Sequence, residues 1–125
     1  MKKVEANPIN VGILIAEKGD STQVASLFQY YGYTPQGMEN GYQVMKHFNG
    51  NEMRYSFKDS GKDQKYPTIV VKTNASQKEI DAILTELKFV KTGNAYERTV
   101  SRYNNYITRC SFGAHNSFII QRIRH

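Results

Sequence analysis

The chain has one cysteine, no tryptophan and three prolines in 125 residues. A single thiol, Cys110, cannot close an internal disulfide, and no Cys/His cluster has the spacing of a zinc site. Neither staple is needed, because a chain of this length forms one domain that buries roughly two thirds of the surface its unfolded form exposes. With no disulfide to maintain, a reduced, cytoplasmic setting is expected. Long apolar runs are missing as well. The start, MKKVEANPINVGILIA, places Glu5, Asn7, Pro8 and Asn10 ahead of an apolar run of only about eight residues. That is too short and too interrupted for a signal peptide or a membrane span.

Catalytic signatures are equally sparse. Nine glycines never form GxGxxG or a phosphate loop, so nucleotide hydrolysis has no support. Glu39, Glu52 and Glu97 sit singly or near turns, which leaves no pair for general acid and base work. His115 follows Cys110 by five positions, but no acidic or amide side chain stands ready to orient it. A lone cysteine on a strand is most often buried filler. The apolar runs GILIA and PTIVV offer no metal ligand. The expectation is a protein that is not an enzyme and carries no cofactor.

Negative charge runs out before the end. Residues 1 to 66 carry eight Lys/Arg against seven Asp/Glu, and residues 67 to 125 carry nine against four, giving a net charge of +6. After Glu97 no acidic residue remains, while Arg98, Arg102, Arg109, Arg122 and Arg124 follow. Arginine without lysine suits planar or phosphate-like partners, which its forked donors match two at a time.

What is present is a pattern that occurs twice. At an offset of 56, Ile13-Leu14-Ile15 falls on Ile69-Val70-Val71, Tyr33 on Phe89 and Gly37 on Gly93. Val24, Leu27, Phe28 and Tyr31 fall on Ile80, Ile83, Leu84 and Leu87, both sets at i, i+3, i+4, i+7. At an offset of 55, RYSF at Arg54 meets RCSF at Arg109. Each copy, about 11–58 and 67–112, reads strand, helix, strand, strand. GILIA is the first strand, and Asp20 or Ser21 caps a helix running to about Tyr31 that stops at Gly32. YQVMKHF and EMRYSFK then flank Asn49-Gly50, a strong hairpin signal. In the second copy PTIVVK is the strand, Ser76 with Glu79 forms a capping box, and YERTVSR and YITRCSF flank Asn104-Asn105. Lys58 to Lys65 is a polar linker, and residues 117–123, SFIIQRI, add a strand outside the repeat.

The fold expected is α+β: two tandem βαββ repeats forming one mainly antiparallel sheet, two helices on one face and an extra C-terminal strand. In this order of elements, nearly the whole chain resembles the tandem strand-helix-strand-strand proteins typified by the GyrI-like effector-binding domains. That resemblance implies a groove between the copies. In that family the groove holds small, often cationic ligands with the help of an acidic group; here the corresponding region is basic.

Hairpin counting selects the open face. If Asn49-Gly50 is a two-residue turn, Phe48 pairs with Asn51, Val44 with Tyr55 and Tyr42 with Phe57, and these apolar pairs face the helices. Gln43, Met45, His47, Arg54, Ser56 and Lys58 then face away. The same phase in the second copy exposes Arg98, Val100, Arg102 and Arg109 and buries Thr99, Ser101, Thr108 and Cys110. His47, Arg54, Arg98, Arg102, Arg109, Arg122 and Arg124 are therefore the candidate site for nucleic acid or another anion, with Tyr55, Tyr96, Tyr103 and Tyr106 as stacking surfaces. Single-stranded or structured nucleic acid is the leading partner. A small anionic ligand or nucleotide between the repeats is the second. The third is a protein-interaction module or inhibitor of another protein, or a homo-oligomer, using Ser117 to Ile123 as an edge strand.

Overall fold

The computed structural model describes residues 7–57, 66–99, 106–114 and 116–124. The linker at Lys58 to Lys65, the Asn104-Asn105 turn, Val100, Ser101, Arg102, Tyr103 and His115 lie outside the described residues, as does the side chain of Arg124.

The first correction falls on GILIA, which is helical. Helix α1 spans Pro8–Lys18, with Asn7 as its cap: the Asn7 side chain accepts a hydrogen bond from the Ile9 amide at 2.8 Å, and Pro8 opens the first turn. Asn-Pro ahead of an apolar run is a helix-start signal, and an apolar run alone does not separate a buried strand from a buried helix. Ile9, Val11, Ile13, Ile15 and Ala16 are all buried. Gly12 lets the helix lie close on the sheet, since a Cβ there would come within 2.9 Å of Ile120 Cδ1 and 3.0 Å of Val71 Cγ2.

Helix α2 (Val24–Tyr30) and helix α3 (Gln77–Glu86) fall where the periodicity places them. Ser76 and Glu79 make the reciprocal capping box, with Glu79 N donating to Ser76 Oγ at 3.1 Å and Ser76 N to Glu79 Oε1 at 2.8 Å. Each helix buries two residues of its apolar set, Val24 and Phe28 in α2, Ile80 and Leu84 in α3.

Eight strands follow: β1 (Tyr33–Glu39), β2 (Tyr42–His47), β3 (Glu52–Ser56), β4 (Thr68–Lys72), β5 (Val90–Thr92), β6 (Ala95–Thr99), β7 (Tyr106–Phe112) and β8 (Ser117–Arg124). They form one antiparallel sheet in the order β1-β2-β3-β4-β8-β7-β6-β5. The fold is α+β, with three helices and a meander of four strands on each side of the β4·β8 pairing. β1 and β5 are additions to the predicted set. Asn40-Gly41, with φ of 53° and 86°, supplies the left-handed two-residue turn between β1 and β2. β8 is central, paired with β4 and β7. The expected C-terminal edge strand is therefore interior over its first half: Ser117 to Ile120 pair with β4, and Gln121 to Ile123 pair with β7 on the other side.

The turn at Asn49-Gly50 resets the register. Gly50 N donates to His47 O and His47 N to Asn51 O, both at 2.8 Å, so the loop takes three residues with Gly50 at φ 101°. Val44 then pairs with Arg54 and Gln43 with Tyr55. One extra loop residue turns the whole of β2 over relative to the two-residue expectation. Gln43, Met45 and His47 join Met53 and Tyr55 on the helix-covered face, and Val44 and Lys46 share the open face with Arg54. Ile69, Val71, Phe118, Ile120, Cys110 and Tyr96 continue the covered face, and all three helices pack into that one cluster.

Candidate functional site

The arginines divide between the two faces. Arg54 on β3 lies on the open face, 2.8 Å from Glu52 and 3.2 Å from Glu39. Its hydrogen bond to Glu52 holds that carboxyl below the ordinary range, with Lys72 adding to the effect. Arg109 on β7 is also open, 48% exposed, with Glu97 at 3.8 Å. Between the two run β4 and β8, so they stand three inter-strand steps apart, about 14 Å across the strands, and two residues out of register, since Arg54 lies in line with Ser111. Each is matched by carboxylates of its own neighbourhood.

Arg98 and Arg122 point the other way, a correction to the expected open-face set. The cause is parity: Arg98 pairs with Thr108 and Thr108 with Arg122, and Thr108 is buried beneath the helices. Arg98 donates from Nε and Nη2 to the two oxygens of Glu17 on α1, at 3.2 and 2.6 Å, and from Nη1 to the Leu87 carbonyl at the end of α3 at 2.7 Å. Its guanidinium lies 4.7 Å from the Phe89 ring centroid. Thr108 donates to Glu17 Oε2 at 2.5 Å and accepts from Arg122 Nη1 at 2.8 Å. The result is an interior relay, Arg98–Glu17–Thr108–Arg122.

The stacking tyrosines are largely consumed inside. Tyr55 stacks on Phe28 with centroids 5.3 Å apart, and Tyr96 is 3% exposed and donates to Asp81 at 2.8 Å. Tyr106 packs edge-on to Tyr66. Cys110 has no exposed surface, and burial, with Glu17 adding, pushes its thiol well above the ordinary range, which keeps it protonated and unreactive.

His47 belongs to a different site. Its ring is tilted against Phe48 at 4.0 Å and edge-on to Tyr33 at 5.0 Å, and Nδ1 accepts from the Asn49 amide at 3.1 Å. Nε2 faces Gly32, where an added Cβ would come within 2.8 Å of it. These residues border a depression of about 480 Å³ lined by Gln29, Gly32, Tyr33, Thr34, Gln36, Lys46, His47 and Phe48. Its lining has one cationic residue, Lys46, two primary amides and no carboxylate. Phe48 is 88% exposed, and Tyr30, at the nearby end of α2, is 80% exposed. Of these only His47 is a sequence-derived candidate. The signal for Phe48 is its place at the first position of the three-residue turn, where a side chain leaves the sheet.

Comparison of the chain with protein-family models, with characterised proteins and with solved structures returns no match. Among the described residues no helix is long and apolar enough to cross a membrane, and no group of three or more His, Cys, Asp or Glu side chains is placed to hold a metal ion.

Proposed function

We propose that the protein is a non-enzymatic binder of single-stranded or structured nucleic acid, and that bases are received at the depression beside His47 and not across the open sheet face. The observation that carries this reading is Phe48: a phenyl ring 88% exposed, backed by an imidazole at 4.0 Å, at the rim of a concave surface without carboxylates. An exposed aromatic face is a sequence-tolerant platform for a base, contributing about 1–3 kcal/mol per stacked base. Gln29 and Gln36 carry amides able both to donate to and to accept from a base edge, and the net +6 of the chain favours a polyanion. Arg54 and Arg109, each matched by glutamate, contribute less than their number suggests.

Anisotropy of labelled single-stranded oligonucleotides, RNA and DNA, tests the reading. With few phosphates neutralised at this site, log affinity falls against log salt with a slope of roughly −0.7 to −1.5. No saturable binding at low salt, or equal affinity for the Phe48→Ala variant, overturns it.

A further inference from the structure

The polar atoms lining the depression at His47 are few, and the hydrogen bonds around them fix what two of them can offer. His47 Nδ1 accepts from the Asn49 amide, which places the proton of the neutral ring on Nε2. Among the described residues that N–H donates to nothing. Gly32, at φ 88°, keeps the space beside it clear, because a Cβ there would stand 2.8 Å from Nε2 and 3.2 Å from Phe48 Cε2.

Gln36 is set by β1. The β1–β2 register passes from Pro35 to Gly37 and leaves Gln36 outside the pairing, a bulge of the kind that re-aims a side chain. Its Nε2 donates to Thr34 Oγ1 at 3.2 Å, and Thr34 Oγ1 donates to the Lys46 carbonyl at 3.4 Å. With the amide nitrogen held by Thr34, the carbonyl oxygen Oε1 is left as an acceptor of fixed orientation. Gln29, on α2, makes no side-chain hydrogen bond among the described residues. Lys46, the one cation of the lining, is paired with Glu52 and its charge acts on that carboxyl, so recognition inside the depression falls to neutral groups.

We propose that the depression selects the base it receives and that this base is adenine, an inference that rests on the nucleic-acid reading and adds to it which base is bound. The exocyclic amine of adenine donates to the Gln36 carbonyl, and its ring nitrogens accept from His47 Nε2 and from the amide of Gln29; the purine also covers more of the Phe48 ring than a pyrimidine does. Hypoxanthine differs at that corner, where an oxygen replaces the amine and an N–H replaces the ring acceptor beside it. Two oxygens would then face each other, and Gln36 cannot turn its amide round without giving up Thr34. Gln36 is the discriminating residue, and Thr34 is its positioning residue.

Anisotropy titrations with short labelled oligo(dA) and oligo(dI) strands at one low salt concentration test the assignment. The wild-type protein binds oligo(dA) about tenfold more tightly, the discrimination that one well-placed base contact supplies. Gln36→Leu removes the acceptor and Thr34→Val releases the amide to turn, and each brings the ratio to within about twofold. Both positions are exposed on an edge strand, so neither change disturbs the core. Phe48→Ala weakens the binding of both strands and keeps the ratio. Equal binding of the two strands by the wild-type protein, or a ratio that both variants leave intact, overturns the adenine assignment and leaves the nucleic-acid reading standing. Binding of neither strand overturns both.

Discussion

Arg98 and Glu17, 81 positions apart in the chain, meet edge to edge through two hydrogen bonds beneath α1. The pair ties the C-terminal turn of α1 to β6, and the third Arg98 donor reaches the carbonyl that ends α3. One side chain thereby fixes two helices to one strand. The Glu17 side chain is 10% exposed and that of Arg98 25%, so removing either partner leaves the other poorly solvated. Glu17→Gln or Arg98→Met is expected to destabilise the fold by about 3 kcal/mol, with the Arg98 change tempered by its partial exposure. Urea unfolding of the two single variants and the double variant measures the coupling, which should exceed about 1 kcal/mol. Additive single effects would show that the pair does not hold α1 down.

Stability should fall at both ends of the pH scale for separate reasons. Glu52 is held below its ordinary range by Arg54, so its contribution is present above the unfolded value near 4.3 and is lost as pH falls through the lower folded value. Glu52→Gln should flatten that acid limb. Tyr33, 2% exposed against Phe28, is pushed up to about 12 by burial. A raised folded value means that the contribution is whole below about pH 10 and declines from there toward 12. Tyr33→Phe cannot ionise and should hold its stability across that window, as urea midpoints at pH 9, 10 and 11 would show.

Much of the fold is legible in the sequence, and where reading fails the reasons are local. The helical periods of α2 and α3, the capping box at Ser76 and the hairpin strands of β2, β3, β6 and β7 follow from residue spacing. GILIA misleads because a five-residue apolar run satisfies a buried strand and a buried helix alike; Asn7-Pro8 decides, by supplying a cap and a pre-set first turn. The functional face depends on a finer detail. Asn49-Gly50 marks a hairpin but leaves open whether two or three residues form its loop, and that single residue determines on which side of the sheet His47 emerges. Arg122 is hidden for a related reason: a strand rich in arginine reads as a solvated edge until its pairing with β7 sets Arg122 opposite Thr108 on the helix-covered face. Long-range pairing of this kind has no local signature.

Cys110 should behave as an inert core residue. With no exposed surface and a thiol held protonated, it is expected to react with a disulfide reagent at neutral pH only as fast as the protein opens. Reaction should become rapid in denaturant. A fast stoichiometric reaction in the folded state would require a reactive thiol that the packing of Cys110 against Ile120 and Tyr96 does not allow.

Phe48→Ala separates stability from binding. A phenyl ring 88% exposed has little contact to lose, so the Tm should move by no more than about 2 °C, a surface-class effect. Stacking is lost with the ring, and affinity for single-stranded oligonucleotide should fall about tenfold, close to the contribution of one stacked base. Phe48→Tyr preserves the face and should bind like the parent. Arg54→Gln supplies the contrast, because its guanidinium is engaged by Glu39 and Glu52 and its removal should leave affinity within about twofold. If the order is reversed, with Arg54→Gln crippling binding and Phe48→Ala harmless, then the open sheet face is the working surface and the depression is not.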